Sequence, residues 1–152
     1  MAKRKVLDKI YMNIAREVST LSRCNRNKVG CVIVKDNNIL SMGYNGTPTG
    51  MNNDCEDVVV DTYLKNIGID DTIATTKWYV LHAESNAIAK MARSINGCEG
   101  ATLYTTMSPC KECAKLIIQA GIKEVIFHES YGKDPEIPLD LLKECNVQTK
   151  YE

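Results

Sequence analysis

The chain has 152 residues, 44% of them hydrophobic and 25% charged, which is the usage of one globular domain and leaves too little sequence for two independent cores. Nineteen basic side chains balance nineteen acidic ones, so no excess of positive charge favours a long nucleic acid as a partner. No segment approaches the ~20 consecutive apolar residues of a membrane span, and residues 1–7 lack the apolar run of a signal peptide. We therefore expect a single cytoplasmic domain over residues 1–152 that has no membrane partner.

The first half of the chain predicts a helix, a hairpin and a long loop. Apolar residues recur at three- and four-residue intervals over residues 6–21, as on one face of an amphipathic helix. Two apolar runs, residues 29–34 and 39–44, flank four polar residues and predict a hairpin whose strands are buried on both faces. Residues 43–57 are rich in Gly, Pro, Asn and Thr and predict a loop, which continues with only a weak pattern around residues 58–64 as far as Lys77. A loop of this length in a small domain usually has a function.

Helices and strands alternate in the second half. Strong helix formers, a proline in a first turn and glycines after helix ends predict helices at residues 83–93, 109–120 and 138–145. Apolar runs between them predict strands at residues 101–106 and 125–128 and an edge strand at residues 147–150. The resulting order, α-β-β-α-β-α-β-α-β, predicts an α/β fold: a three-layer α/β/α domain around a mixed sheet of about five strands.

Two motifs stand at the starts of the two middle helices, His82-Ala83-Glu84 and Pro109-Cys110-Lys111-Glu112-Cys113. Helices that follow neighbouring parallel strands begin at the same edge of a sheet, so the two motifs can meet. The seven cysteines are odd in number and irregularly spaced. We expect their thiols to stay reduced, which directs attention to a metal rather than to a disulfide scaffold.

Cys110 and Cys113 lie one helical turn apart, where the positive end of the helix dipole favours thiolates that can bind a metal. By itself the pair also fits a redox pair, half of a four-cysteine structural site or a chance spacing. His82 supplies a third ligand if the helix starts face each other, which leaves a fourth zinc position open for a water whose pKa falls to roughly 7. Glu84 can then flank the same cavity as a general base. Taken singly, His82 could be a hydrogen-bonded buried histidine and Glu84 a first-turn helix acid, but the co-occurrence of both motifs favours the metal site.

The paired motifs resemble the signature of the zinc-dependent nucleobase deaminases, H-x-E followed by P-C-x-x-C. Within that superfamily the chain looks most like the deoxycytidylate (dCMP) deaminase branch, and the likeness covers nearly the whole sequence. The segments that carry it are residues 29–34 (VGCVIV), 43–48 (GYNGTP), 82–88 (HAESNAI) and 108–123. The resemblance implies a cytidine-deaminase-like fold, a catalytic zinc held by His82, Cys110 and Cys113, and a catalytic Glu84. It implies the reaction as well, hydrolysis of dCMP to dUMP and ammonia, which supplies dUMP for thymidylate synthesis.

The resemblance also implies recognition and regulation. Enzymes of this branch are typically activated by dCTP with Mg²⁺, inhibited by dTTP and assembled as hexamers. Asn45 then has two candidate roles, contact with the substrate and part of a regulatory nucleotide site, beside the simpler role of a turn residue. We expect Arg26 and Tyr131 on the substrate side, because a phosphate needs cationic or hydrogen-bonding partners. The remaining candidates for the regulatory site are Lys28, Gly43, Tyr44, Gly46 and Arg93, although both cations also suit an exposed surface.

Some members of this branch hold a second, structural zinc through cysteines that correspond to Cys24 and Cys55. Their further ligands come from the loop before the His-x-Glu motif, but here residues 66–81 contain neither His nor Cys. We therefore expect Cys24 and Cys55 to be ordinary free thiols. Three other functions stay open at this point: a tRNA or free-nucleoside deaminase on the same scaffold, a non-enzymatic protein stabilised by zinc, and a thiol oxidoreductase that uses the Cys-x-x-Cys pair.

Overall fold

The computed structural model describes residues 2–60, 65–68 and 72–152. Its regular elements, in chain order, are α1 (Ala2–Ser19), β1 (Gly30–Lys35), β2 (Asn38–Tyr44), β3 (Glu56–Val60), β4 (Thr72–Thr76), α2 (Ala83–Met91), β5 (Thr102–Met107), α3 (Lys111–Gln119), β6 (Glu124–Glu129), α4 (Glu136–Glu144) and β7 (Gln148–Tyr151). A five-stranded sheet has the order β2-β1-β5-β6-β7, and β3 pairs with β4 in a separate two-stranded sheet. Strands β2, β1 and β5 pair antiparallel, whereas β5, β6 and β7 run parallel, so the large sheet is mixed as predicted.

Helices cover both faces of the large sheet. Successive residues of β1 contribute to two cores, one on each face of the sheet. Val32 and Val34 pack with α1, whereas Cys31 and Ile33 pack with α2, α3 and α4. This alternation is what a strand buried on both faces requires. The predicted three-layer α/β/α arrangement is confirmed. Among the described residues, none of the helices combines the length and the apolar character needed to cross a bilayer.

Two predictions about the first half were wrong. Strand β2 is at the edge of the sheet, and its exposed and buried positions alternate instead of being buried throughout. The long predicted loop contains β3 and β4, whose residues pair in register from Glu56 with Thr76 to Val60 with Thr72. All five residues of β4 and residues 57–59 of β3 are exposed, so the hairpin buries no apolar face there and leaves no apolar alternation in the sequence. Part of the weak pattern at residues 58–64 lies outside the described residues.

A buried carboxylate joins the first helix to the last strand. Asp8 of α1 is 1% exposed and accepts hydrogen bonds from Arg4 Nε (2.9 Å), the Tyr104 hydroxyl (2.8 Å) and Lys150 Nζ (2.8 Å). Burial raises the pKa of Asp8, but the hydrogen bonds outweigh this effect and the pKa lies below its ordinary value of 3.8. Asp8 therefore remains ionised and holds α1 against β5 and β7.

Helix α2 lies directly on strand β2 because Gly43 has no side chain. A Cβ atom built on Gly43 would lie 2.2 Å from the Ala83 carbonyl oxygen and 2.6 Å from the Ala87 nitrogen. Three hydrogen bonds close the same contact: the Ser41 hydroxyl donates to Ala87 O, the Asn86 amide to Tyr44 O and Lys90 Nζ to Met42 O. The first residues of α2 are thereby fixed relative to the edge of the sheet.

We predict that Gly43→Ala destabilises the protein by about 1–3 kcal/mol or more, because the added methyl meets backbone that cannot move aside. Gly46→Ala is the matched control, since the nearest atom to a Cβ there is the flexible Tyr44 ring at 3.9 Å. Urea unfolding of both variants provides the measurement. Equal stability of the two would contradict the close packing described for Gly43.

Candidate active site

His82 and Cys110 immediately precede helices α2 and α3 in similar extended conformations, with φ and ψ of −75° and 158° and of −76° and 174°. Strand β5 runs parallel to β6 and ends just before Cys110, so α3 begins at the carboxyl edge of the sheet. The Cys110 sulfur accepts a hydrogen bond from the Cys113 backbone N–H, which sets the turn that aligns the two cysteines. Both predicted motifs therefore stand at helix starts, and they face each other.

The three candidate zinc ligands converge. His82 Nδ1 lies 3.3 Å from Cys110 Sγ and 3.5 Å from Cys113 Sγ. Within the described part of the chain these three residues form a group whose ligand atoms all lie within 4.8 Å of one another. One imidazole and two thiolates are a donor set that zinc prefers, and three protein ligands leave a position for water or substrate. The residues present thus fit a catalytic zinc.

Cys110 and His82 alter each other's ionisation within this cluster. A hydrogen bond from Cys113, together with contact with His82, lowers the pKa of the Cys110 thiol. The hydrogen bond with Cys110 raises the pKa of His82 in turn. Both directions favour a thiolate at Cys110, which is the form of cysteine that binds a metal.

Glu84 lies in the first turn of α2 and is only 4% exposed. Burial raises the pKa of its carboxyl group to about 7. The hydroxyl of Thr105, which donates to Met107 O at 2.9 Å, also lies 3.4 Å from Glu84 Oε1. A buried carboxyl group with a pKa near neutrality is suited to taking up and releasing a proton.

One cavity is lined by two of the three candidate zinc ligands and by the residues predicted for substrate contact. Arg26, Asn45 and Tyr131 line it together with His82, Glu84 and Cys110. The Asn45 side chain accepts a hydrogen bond from Val29 N and donates one to Asn27 O, both at 2.8 Å, so it also fixes the loop before β1. The backbone of Tyr131 is fixed, because its N–H donates a hydrogen bond to the buried Ser108 hydroxyl at 2.8 Å.

Sequence reasoning missed the contribution of the β3–β4 hairpin. Glu56 and Thr76 from its two strands, and Val80 after it, line the same cavity. Their only signal in the sequence is position within a long loop near the His-x-Glu motif. Exposed threonines in a strand give no apolar period, so the pairing of Glu56 with Thr76 is visible only in three dimensions.

The residues predicted for a regulatory site lie outside this cavity, apart from Asn45. Lys28 and Arg93 are exposed, and Gly43 packs against α2 as described above. The ring of Tyr44 lies beneath Lys90 Nζ, 5.5 Å from the ring centre. Gly46 pairs with Leu81, which immediately precedes His82, through two backbone hydrogen bonds of 3.1 and 2.8 Å. The segment at Gly43–Gly46 is thus joined both to α2 and to the residue before the first zinc ligand.

The expectation that Cys24 and Cys55 are free thiols was wrong, because the two form a disulfide. The pair is separated by 31 residues and is brought together by the packing of the loop before β1 on the hairpin, which local spacing does not reveal. Glu56 lies beside them, and the three ligand atoms are close enough to form a metal-ligand group. Sulfurs bonded to each other are not thiolates, however, so in this state the group offers no metal site. Cys31, Cys98 and Cys145 are free, as expected.

Comparison with known proteins gives a consistent result. Residues 5–129 match a family model described as the cytidine and deoxycytidylate deaminase zinc-binding region. A deoxycytidylate deaminase of Enterobacteria phage T4 is 35% identical over 90% of this chain and 85% of that protein. The deoxycytidylate deaminase of Homo sapiens is 40% identical over 77% of this chain and 61% of that protein. The crystal structure of dCMP deaminase from the cyanophage S-TIM5 in complex with dCMP and dUMP is 37% identical, covers 96% of both chains and has a TM-score of 0.80.

We predict that Cys110→Ser reduces bound zinc to roughly a tenth of the wild-type content or less, because a neutral hydroxyl replaces a thiolate ligand. Elemental analysis of the purified proteins gives the measurement. Cys145→Ser, which removes an exposed free thiol, is the control and should keep its zinc. Undiminished zinc in the Cys110 variant would show that the metal is held elsewhere.

Proposed function

The chain belongs to the cytidine and deoxycytidylate deaminase family, and we propose that it hydrolyses dCMP to dUMP and ammonia, supplying dUMP for thymidylate synthesis. One observation carries the proposal: the cavity that reaches two ligands of the zinc-binding cluster is also lined by a buried carboxylic acid and by an arginine suited to a phosphate. The S-TIM5 relative, crystallised with dCMP and dUMP, supports this choice of substrate.

Each group in the cavity has a task in this reaction. Zinc, when held by His82, Cys110 and Cys113, supplies Lewis acidity that makes a water molecule a better nucleophile. Glu84 takes the proton that the water loses as its oxygen adds to C4 of the cytosine ring. Glu84 then protonates N3, takes the remaining proton from the hydroxyl group formed at C4 and gives it to the departing amine, so that ammonia leaves and a carbonyl remains. Burial keeps the Glu84 carboxyl group suited to both directions of proton transfer.

Recognition of the 5′-phosphate is assigned to the mouth of the cavity. Arg26 donates to the Thr76 hydroxyl at 3.0 Å, and among the residues described it makes no ion pair with a carboxylate. Its charge is therefore available to an anion. Tyr131 is 40% exposed and lines the same cavity, where its hydroxyl can contact the nucleotide. Asn45, which also lines the cavity, is the third residue that we assign to substrate contact.

The proposal includes regulation by dCTP as activator, bound with Mg²⁺, and by dTTP as inhibitor, in a cytoplasmic homohexamer. The candidate effector residues are Lys28, Gly43, Tyr44, Asn45, Gly46 and Arg93. The packing of Gly43 on α2 and the pairing of Gly46 with Leu81 support this assignment. A ligand that moves this segment also moves the residues beside His82 and Glu84, because the backbone of Gly43 packs against α2 with no space between them. A cytoplasmic location suits a phosphorylated, membrane-impermeant substrate.

We predict that Glu84→Gln lowers the turnover of dCMP by about 10³-fold while zinc content and thermal stability stay close to wild type, because the amide cannot carry the proton. Glu112→Gln is the control, since that side chain is 77% exposed and pairs with Lys115 at the surface. The measurement is ammonia release at saturating dCMP. A Glu84 variant with a nearly normal rate would refute the mechanism.

Steady-state ammonia release from dCMP, deoxycytidine, dCTP and a tRNA anticodon loop tests the substrate. We expect dCMP to be strongly preferred, and we expect Arg26→Ala to reduce its preference over deoxycytidine by about tenfold or more, the value of one charge-assisted contact. Equal activity on dCMP and deoxycytidine would overturn phosphate recognition, and a preference for the tRNA loop would overturn the function.

The same assay with dCTP and dTTP added tests regulation. A sigmoid dependence of rate on dCMP concentration that becomes hyperbolic with dCTP, together with a lower rate in the presence of dTTP, would establish it.

A further inference from the structure

Glu56, the first residue of β3, is 9% exposed and uses its carboxylate to hold the loop before β1. Glu56 Oε1 accepts hydrogen bonds from the backbone N–H groups of Asn25, at 2.9 Å, and Arg26, at 3.2 Å. Glu56 Oε2 lies 3.4 Å from the Asn25 side-chain amide, which donates to it. One carboxylate thus fixes the backbone of Arg26 and of the residue before it.

The opposite strand of the hairpin holds the Arg26 side chain. Thr76, whose hydroxyl accepts the hydrogen bond from the Arg26 guanidinium, pairs directly with Glu56 across the β3–β4 ladder. A single pair of facing residues therefore contacts Arg26 at both its backbone and its guanidinium group. Each contact restricts a different set of torsions, so together they define the direction in which the charge points.

The chemistry of these contacts preserves the charge of Arg26. Glu56 is the nearby anion, but the hydrogen bonds it makes are to backbone and amide N–H groups, and the guanidinium hydrogen bond goes to a neutral hydroxyl. No carboxylate forms an ion pair with Arg26 within residues 2–60, 65–68 and 72–152. The arginine is held without being neutralised, which is what a group that must bind an incoming anion requires.

We propose that Glu56 and Thr76 are positioning residues that orient Arg26 for the substrate phosphate, and hence that the β3–β4 hairpin sets the preference for a nucleotide over a nucleoside. The inference rests on the proposed function. Removal of Glu56 leaves the loop attached, because the Cys24–Cys55 bond and the contacts of Asn45 with Asn27 and Val29 also hold it. Asn25 and Arg26 are exposed, so water replaces the lost hydrogen bonds and the fold survives.

The test compares kcat/KM for dCMP and for deoxycytidine in Glu56→Ala, Glu56→Gln and Thr76→Val. We expect Glu56→Ala, and Thr76→Val through loss of the guanidinium hydrogen bond, to lower the ratio of the two values by about tenfold, mainly through KM for dCMP. Gln keeps one acceptor oxygen for the two N–H groups, so Glu56→Gln should recover part of the loss. Asp57→Ala removes a neighbouring charge that pairs with Lys77 and makes no contact with Arg26, so it is the matched control.

Two readouts that do not depend on turnover separate this inference from the proposed function. Amide hydrogen exchange at Asn25 and Arg26 should accelerate in Glu56→Ala but not in Asp57→Ala. Calorimetry should show that Glu56→Ala binds dUMP more weakly than the wild-type protein does. The affinity for deoxyuridine should change much less. A wild-type protein that fails to deaminate dCMP would refute the function, and these two measurements would still decide the role of Glu56. Unchanged exchange, or equal losses for nucleotide and nucleoside, would overturn the inference.

Discussion

The contact between Gly43 and the first turn of α2 is the constraint on which the candidate site depends. Helix α2 carries His82 at its start and Glu84 in its first turn, and its distance from the sheet decides where both side chains lie. A glycine in β2 allows backbone to meet backbone, and hydrogen bonds from Ser41, Asn86 and Lys90 hold the two together. Helix α3 is placed independently by the parallel part of the sheet. The three candidate zinc ligands meet because the starts of α2 and α3 face each other.

The residues of the candidate site divide into an inner set and an outer set that differ in construction. The inner groups, His82, Glu84, Cys110 and Cys113, stand at helix starts that pack on the sheet, where side-chain positions are determined by the core. The outer groups belong to loops and to a hairpin with an exposed surface. Chemistry that needs fixed geometry is thus placed on rigid elements, whereas recognition of the variable end of a ligand is placed on elements that tolerate change.

Local periodicity was enough to predict the three layers and to place the two motifs at helix starts, because helices and strands with a buried face leave a repeating apolar pattern. The sequence analysis expected that His82 and the cysteines could meet if both helices followed neighbouring parallel strands. Only α3 follows such a strand, and His82 is placed instead by the contact of α2 with β2. The assignment of Arg26, Asn45 and Tyr131 to one side of the site came from resemblance rather than from pattern. What could not be predicted were the β3–β4 hairpin and the Cys24–Cys55 bond. The hairpin pairs strands whose residues are mostly exposed, and the bond joins two buried cysteines 31 residues apart, so neither leaves a periodic pattern in the sequence.

The buried Asp8 has a consequence for the order in which the chain folds. Its partner Lys150 is 142 residues away, in the last strand, and Tyr104 lies between them in the sequence. On a ribosome the first helix is complete long before that strand emerges, yet its carboxylate lacks one of its partners until then. A carboxylate that lacks a partner resists transfer out of water, so the packing of α1 on the sheet is more stable once β7 has supplied Lys150. Asp8 thus couples the first helix energetically to the last strand.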